Sequence, residues 1–151
     1  MQIELTQPGS LLSGDGSLTK IGWARQPLLD ANLESARFYR LHCFQRFRIK
    51  RWDYYAVFTP ISFISATIAD LGYAGNIFVY IMDLETASLH EEGLVVPLAK
   101  GIKLPRISTE GSSHFENHKV HLDFDVSGNK RKIMLTWPQF LDGKGIEVIS
   151  L

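Results

Sequence analysis

At 151 residues, 45% of them hydrophobic and 21% charged, the chain has the size and composition of one ordinary globular domain, which excludes a disordered or membrane-embedded chain. Sixteen acidic side chains balance sixteen basic ones, so there is no general field to attract nucleic acid or an anionic membrane. The single cysteine, Cys43, excludes an internal disulfide and a four-thiolate zinc site.

The N-terminal segment from Met1 to Leu12 lacks the basic and apolar regions of a signal peptide, and no apolar run approaches the roughly 20 residues of a membrane span. With a reduced thiol, this gives the expectation of a cytoplasmic location. Punctuation then dominates, with Pro8-Gly9-Ser10, Ser13-Gly14-Asp15-Gly16-Ser17, Gly22 and Pro27 marking ordered loop with short extended pieces. Leu33 to Phe44 spaces Leu33, Ala36, Phe38, Leu41 and Phe44 among charges, as a short helix or an irregular arm would. Residues 1–45 are accordingly read as a loop-rich arm and residues 46–151 as one antiparallel domain.

From Phe47 the pattern becomes extended and runs through Trp52-Asp53-Tyr54-Tyr55-Ala56-Val57-Phe58 to Pro60, rich in aromatic and β-branched residues. Six further strands are expected at Ile61–Ile68, Ile77–Met82, Glu91–Val96, Val120–Val126, Ile133–Trp137 and Glu147–Leu151. Turn residues at Leu71–Asn76 and Ser127–Asn129 favour hairpins between neighbours. Val120, Leu122, Phe124 and Val126 alternate with His121, Asp123 and Asp125, the pattern of a strand with one core face and one wet face. Many short strands without a βαβ rhythm predict an all-β fold, a barrel, half-open barrel or sandwich.

Chemistry-bearing candidates are few. Arg46, Arg48, Lys50 and Arg51 interleave with Phe47, Trp52, Tyr54 and Tyr55, a stripe that suits an anionic headgroup or carboxylate better than nucleic acid in a neutral chain. Asp53, Asp70 and Asp83 lie in or at the ends of consecutive strands, where they could form an acid/base pair, cap turns or pair with the bases. His114, His118 and His121 have a suggestive spacing, but strand parity separates His118 from His121 and neither a cysteine nor an obvious fourth ligand is near, so no metal is expected. Phosphate loops, dinucleotide fingerprints and HExxH motifs are absent from the sequence, and no cofactor is expected.

Gly22-Trp23-Ala24-Arg25-Gln26-Pro27-Leu28, Arg48-Ile49-Lys50-Arg51-Trp52-Asp53-Tyr54-Tyr55 and Ile68-Ala69-Asp70-Leu71-Gly72-Tyr73 resemble the ordered signature blocks of one family, domain of unknown function 2804. Leu98 with Gly101, Leu104-Pro105, Gly111 to Phe115 and Leu135-Thr136-Trp137-Pro138 extend the resemblance over nearly the whole chain. Members of that family are usually about twice this long, so the resemblance is to their N-terminal half. It implies a lipocalin-like barrel, one of a pair, distantly similar to carotenoid hydratase-like and AttH-like proteins. It implies no reaction.

Two uses of the motif aromatics stay open: Trp23, Trp52, Tyr54, Tyr55 and Tyr73 fill a barrel, or they wall a cavity for an apolar molecule. The first functional expectation is a binding module for a lipid-like or isoprenoid-like molecule, with Arg48, Lys50, Trp52, Asp53, Tyr54, Asp70 and Tyr73 as its ligand-binding residues. The alternative is a cofactor-free hydratase, isomerase or cyclase that uses Asp53 or Asp70 as general acid. A structural half-domain that dimerises or joins a second barrel is the third.

Overall fold

In the computed structural model, residues 3–150 are described, and two four-stranded antiparallel sheets dominate them. The arm holds a two-residue parallel pairing of β1 (Gly9–Ser10) with β2 (Leu29–Asp30), followed by 3-10 turns at Leu33–Ser35 and His42–Phe44 and one helical turn at Gln45–Arg48. The long strand expected from Phe47 therefore begins only at Arg51. Gln45 holds the preceding bend: its Oε1 accepts the N–H groups of Phe38 and Tyr39 at 2.8 and 3.2 Å.

The first sheet is the meander β3 (Arg51–Phe58), β4 (Ser62–Asp70), β5 (Ala74–Asp83) and β6 (Leu89–Pro97). The second is β7 (Glu110–Glu116), β8 (His121–Ser127), β9 (Lys130–Trp137) and β10 (Ile146–Ser150), again in chain order across the sheet. Six of these eight strands match expected ones, and β3 matches the C-terminal part of the seventh. The last was expected to reach Leu151, which lies outside the described residues, as do Met1 and Gln2 at the start of the expected arm. β7 was not expected, because Gly111, Ser112 and Ser113 give it a weak strand signature.

Pairing stops at β3 and β6 in one sheet and at β7 and β10 in the other, so among the described residues neither sheet closes on itself. Of the expected alternatives the closed barrel is therefore corrected, and the two open sheets fit the sandwich-like one. The reason is physical: closure depends on whether the first and last strands of a sheet pair, and the alternation of residues along single strands carries no information about that.

A shared core joins the sheets. Ala66, Ile68, Ile77 and Val79 from the first meet Phe115, Leu122, Phe124 and Leu135 from the second, and Val120 continues the buried parity of β8 as expected. Tyr55 crosses the interface with its ring 4.8 Å from that of Phe124. Trp137 and Phe140 pack edge to face at the rim, and Leu141, held in a left-handed conformation, donates its N–H to Glu92 of β6 at 2.6 Å. One further clamp matters. Arg51 reaches from the inner face of β3 to the carbonyls of Leu104 and Pro105, at 2.9 and 2.7 Å, and ties the inter-sheet connection to the first sheet.

Truncating Phe124 to Ala should cost about 3–5 kcal/mol of stability in chemical denaturation, since it empties a fully buried site. Trp52→Ala should cost far less, because 62% of Trp52 is exposed.

Candidate functional site

The outer face of the first sheet, turned away from the second, follows from register. Trp52, Ala69, Asn76 and Val95 form one cross-strand row; Tyr54, Thr67, Phe78 and Gly93 form the next; Ala56, Ser65, Tyr80 and Glu91 follow; Phe58, Phe63, Met82 and Leu89 complete it. Small residues occupy three successive outward positions of β4, whereas Trp52 and Tyr54 on β3 and Phe78 and Tyr80 on β5 are large. The result is a trough over β4 of about 350 Å³, lined by Trp52, Tyr54, Thr67, Ala69, Leu71, Asn76 and Phe78. That volume lies in the range of small-molecule sites.

The floor carries an unsolved polar problem. Thr67 Oγ1 and Ser65 Oγ are buried and find no hydrogen-bond partner among the described residues, and Thr67 as a whole is only 2% exposed. Buried hydroxyls are ordinarily satisfied, because leaving one without a partner costs about 1–3 kcal/mol. Beside the trough the phenols of Tyr54 and Tyr80 lie 3.2 Å apart. The hydrogen bond to Tyr80 raises the pKa of Tyr54, and the Ser65 and Tyr54 hydroxyls lower that of Tyr80, which fits Tyr54 as donor and Tyr80 as acceptor.

The expected ligand-binding residues are divided between two faces and a turn. Trp52 and Tyr54 wall the trough, so they do not fill an interior; Trp23 and Tyr73 are exposed as well, and of the motif aromatics Tyr55 is the one that packs into the core. Lys50 sits over the Tyr73 ring at 4.1 Å and donates to the carbonyl of Leu71, at one end of the trough. Arg48 lies over the Phe38 ring at 5.9 Å, in the arm.

Asp53 and Asp70 occupy inward positions of the first sheet, away from the trough. Asp53 accepts a hydrogen bond from the Ser113 hydroxyl of β7, and Asp70 caps the β4–β5 turn by accepting from Gly72 N–H at 2.7 Å. Asp83 caps the next turn through Glu85 and Thr86 N–H. The aspartates thus have separate structural partners and do not converge. Three of the four basic residues of the stripe turn to backbone carbonyls rather than to those carboxylates: Arg46 to Gly72 and Leu98, Lys50 to Phe47 and Leu71, Arg51 to Leu104 and Pro105.

The sequence pattern did not single out Thr67, Ala69, Leu71, Asn76 or Phe78 as site residues. The available signal was the alternation of Ser65, Thr67 and Ala69, which becomes informative once the flanking strands are registered beside it.

Residues 2–150 match the family described as Domain of unknown function (DUF2804). The chain belongs to this family. Neither a curated protein nor a solved structure matches it. The motif blocks that carry the DUF2804 resemblance therefore have a location: the second supplies Trp52 and Tyr54 to the trough wall, and the third supplies Ala69 and Leu71 to its floor and end. Among the described residues no helix of this DUF2804 chain is long and apolar enough to cross a membrane.

Replacing Thr67 by the isosteric Val should leave stability unchanged or raise it by about 1–3 kcal/mol, read as a shift in denaturation midpoint, because it removes a buried unpartnered hydroxyl without opening a cavity.

Proposed function

We propose that this DUF2804 chain is a binding module for a lipid-like or isoprenoid-like molecule that lies along the trough over β4 and presents one polar group to Thr67. The observation that carries this reading is the buried, unpartnered Thr67 hydroxyl beneath aromatic walls. Aromatic sides favour an apolar body, and the Thr67 hydroxyl, the one of the two unpartnered hydroxyls whose residue lines the trough, favours a ligand with one alcohol, carbonyl or similar group. Trp52 and Tyr54 provide the grip, and Lys50 with Tyr73 stands at the Leu71 end.

This reading is preferred to a general-acid enzyme because among the described residues the trough lining holds no carboxylate. Asp53 and Asp70 would have to act from the other face, where each is engaged in a structural hydrogen bond.

A second reading draws on the breadth of the apolar face. Phe58, Leu89 and Val95 are exposed beyond the trough, Phe58 by 73%, which suits coverage by a second β-unit or a second copy of the chain. In that case the partner supplies the group that meets Thr67.

Farnesol and its hydrocarbon counterpart farnesene separate these readings. Farnesol should quench tryptophan emission saturably in the wild type and not in Trp52→Phe, and should bind about two- to tenfold tighter than farnesene, as one added hydrogen bond provides. Thr67→Val should abolish that difference while keeping farnesene binding. Absence of saturable binding by either compound, together with concentration-dependent dimers in sedimentation, would replace the ligand reading by the partner reading.

A further inference from the structure

The outer face of the second sheet carries a different kind of cluster. β7 and β8 pair antiparallel with His114 opposite Asp123 and Glu116 opposite His121. Directly opposed side chains stand about 4.5–5.5 Å apart at Cβ, and residues two apart on one strand share a face, so these four form a square on one surface. Asp123 lies between the two rings: its Oδ1 is 2.5 Å from His114 Nδ1, and its Oδ2 is hydrogen-bonded to His121 Nε2. One ligand atom from each of His114, His121 and Asp123 lies within 4.8 Å of the others. The imidazoles meet nearly at right angles, 86° between planes with centroids 5.8 Å apart, so their edges converge without stacking.

Two imidazole nitrogens and one carboxylate oxygen are the donor set of a borderline divalent transition metal, and three protein ligands leave one position for water. Binding would place a lone pair on each ring nitrogen now facing Asp123 and the proton on the opposite nitrogen. In His121 that opposite atom is Nδ1, which faces Glu116 Oε1 at 3.6 Å. A carboxylate behind a metal-bound imidazole is the usual means of fixing its tautomer. Asp123 is the least exposed of the four side chains, at 14%, so its charge is only partly screened. Register brings two cations beside the square: the exposed Lys103, bridged to His114, and the partly buried Lys132, opposite Asp125 and diagonal to Asp123.

We infer that His114, His121 and Asp123 form a zinc-class metal site on the β7–β8 hairpin, with Glu116 supporting His121. The site is independent of the trough, which lies on the outer face of the other sheet.

Calorimetric titration of the full chain with zinc chloride tests this after chelator treatment. It uses a Cys43→Ser background, because the exposed Cys43 beside His42 would take up zinc on its own account. One ion per chain should bind with a micromolar or tighter Kd. Asp123→Asn and His121→Gln should each weaken it by about tenfold or more, Glu116→Gln by about tenfold, and His118→Ala, in the exposed turn, should leave it unchanged. Histidine ring nitrogen shifts, measured in the Cys43→Ser chain without any site mutation, should move at His114 and His121 and stay fixed at His42, His90 and His118. No zinc uptake in the micromolar range overturns the inference. So does uptake that survives Asp123→Asn and His121→Gln, or shifts confined to the other histidines.

Discussion

The constraint on which the molecule turns is that β4 is covered on both faces. Inward, Ala66 and Ile68 pack against the second sheet; outward, Ser65, Thr67 and Ala69 lie beneath side chains of β3 and β5. A strand in that position has to be small where its neighbours are large, and the sequence Ser65-Ala66-Thr67-Ile68-Ala69 meets the requirement. The inward positions allow the two sheets to approach, and the outward positions open the trough. Stability and the candidate site thus depend on alternate residues of the same short segment.

The two sheets use their outer faces differently. On the first, aromatic rings stand over the Ser65 and Thr67 hydroxyls, which lack partners, so an apolar surface carries two small polar demands. On the second, imidazoles and carboxylates pair both across the β7–β8 ladder and along β8. The chemistry is segregated by sheet because one strand parity is consumed by the common core, which leaves the other free to carry whatever each face requires.

Seven of the eight strands of the large sheets were legible in the sequence; β7, weakened by Gly111, Ser112 and Ser113, and sheet closure were not. β8 could be read residue by residue, since Leu122, Phe124 and Val126 are apolar and the residues between them are not. β3 could not, because Trp52, Tyr54 and Phe58 on one parity are as apolar as Tyr55 and Val57 on the other. Its charged residues Arg51 and Asp53 point inward, where the Leu104 and Pro105 carbonyls and the Ser113 hydroxyl receive them. Those partners come from distant parts of the chain, and no local pattern announces them. The helical turn at Gln45–Arg48 has the same origin: Gln45 caps the bend before it through Phe38 and Tyr39, a contact that alternation does not encode. Parity within one strand likewise argued against a histidine cluster, whereas the pairing that creates it joins two strands. Once the turn between Glu116 and His121 is known, the opposition of His114 and Asp123 follows by counting.

Each ladder of the two large sheets joins strands that are consecutive in the chain. Most contacts can therefore form after closing a loop of only a few residues, which keeps the entropic barrier to each step low and favours quick formation of either meander. Docking one meander on the other requires closing the longest connection of the two sheets, the one between Pro97 and Glu110. In the folded chain Arg51, anchored to the carbonyls within that connection, holds it against the first sheet.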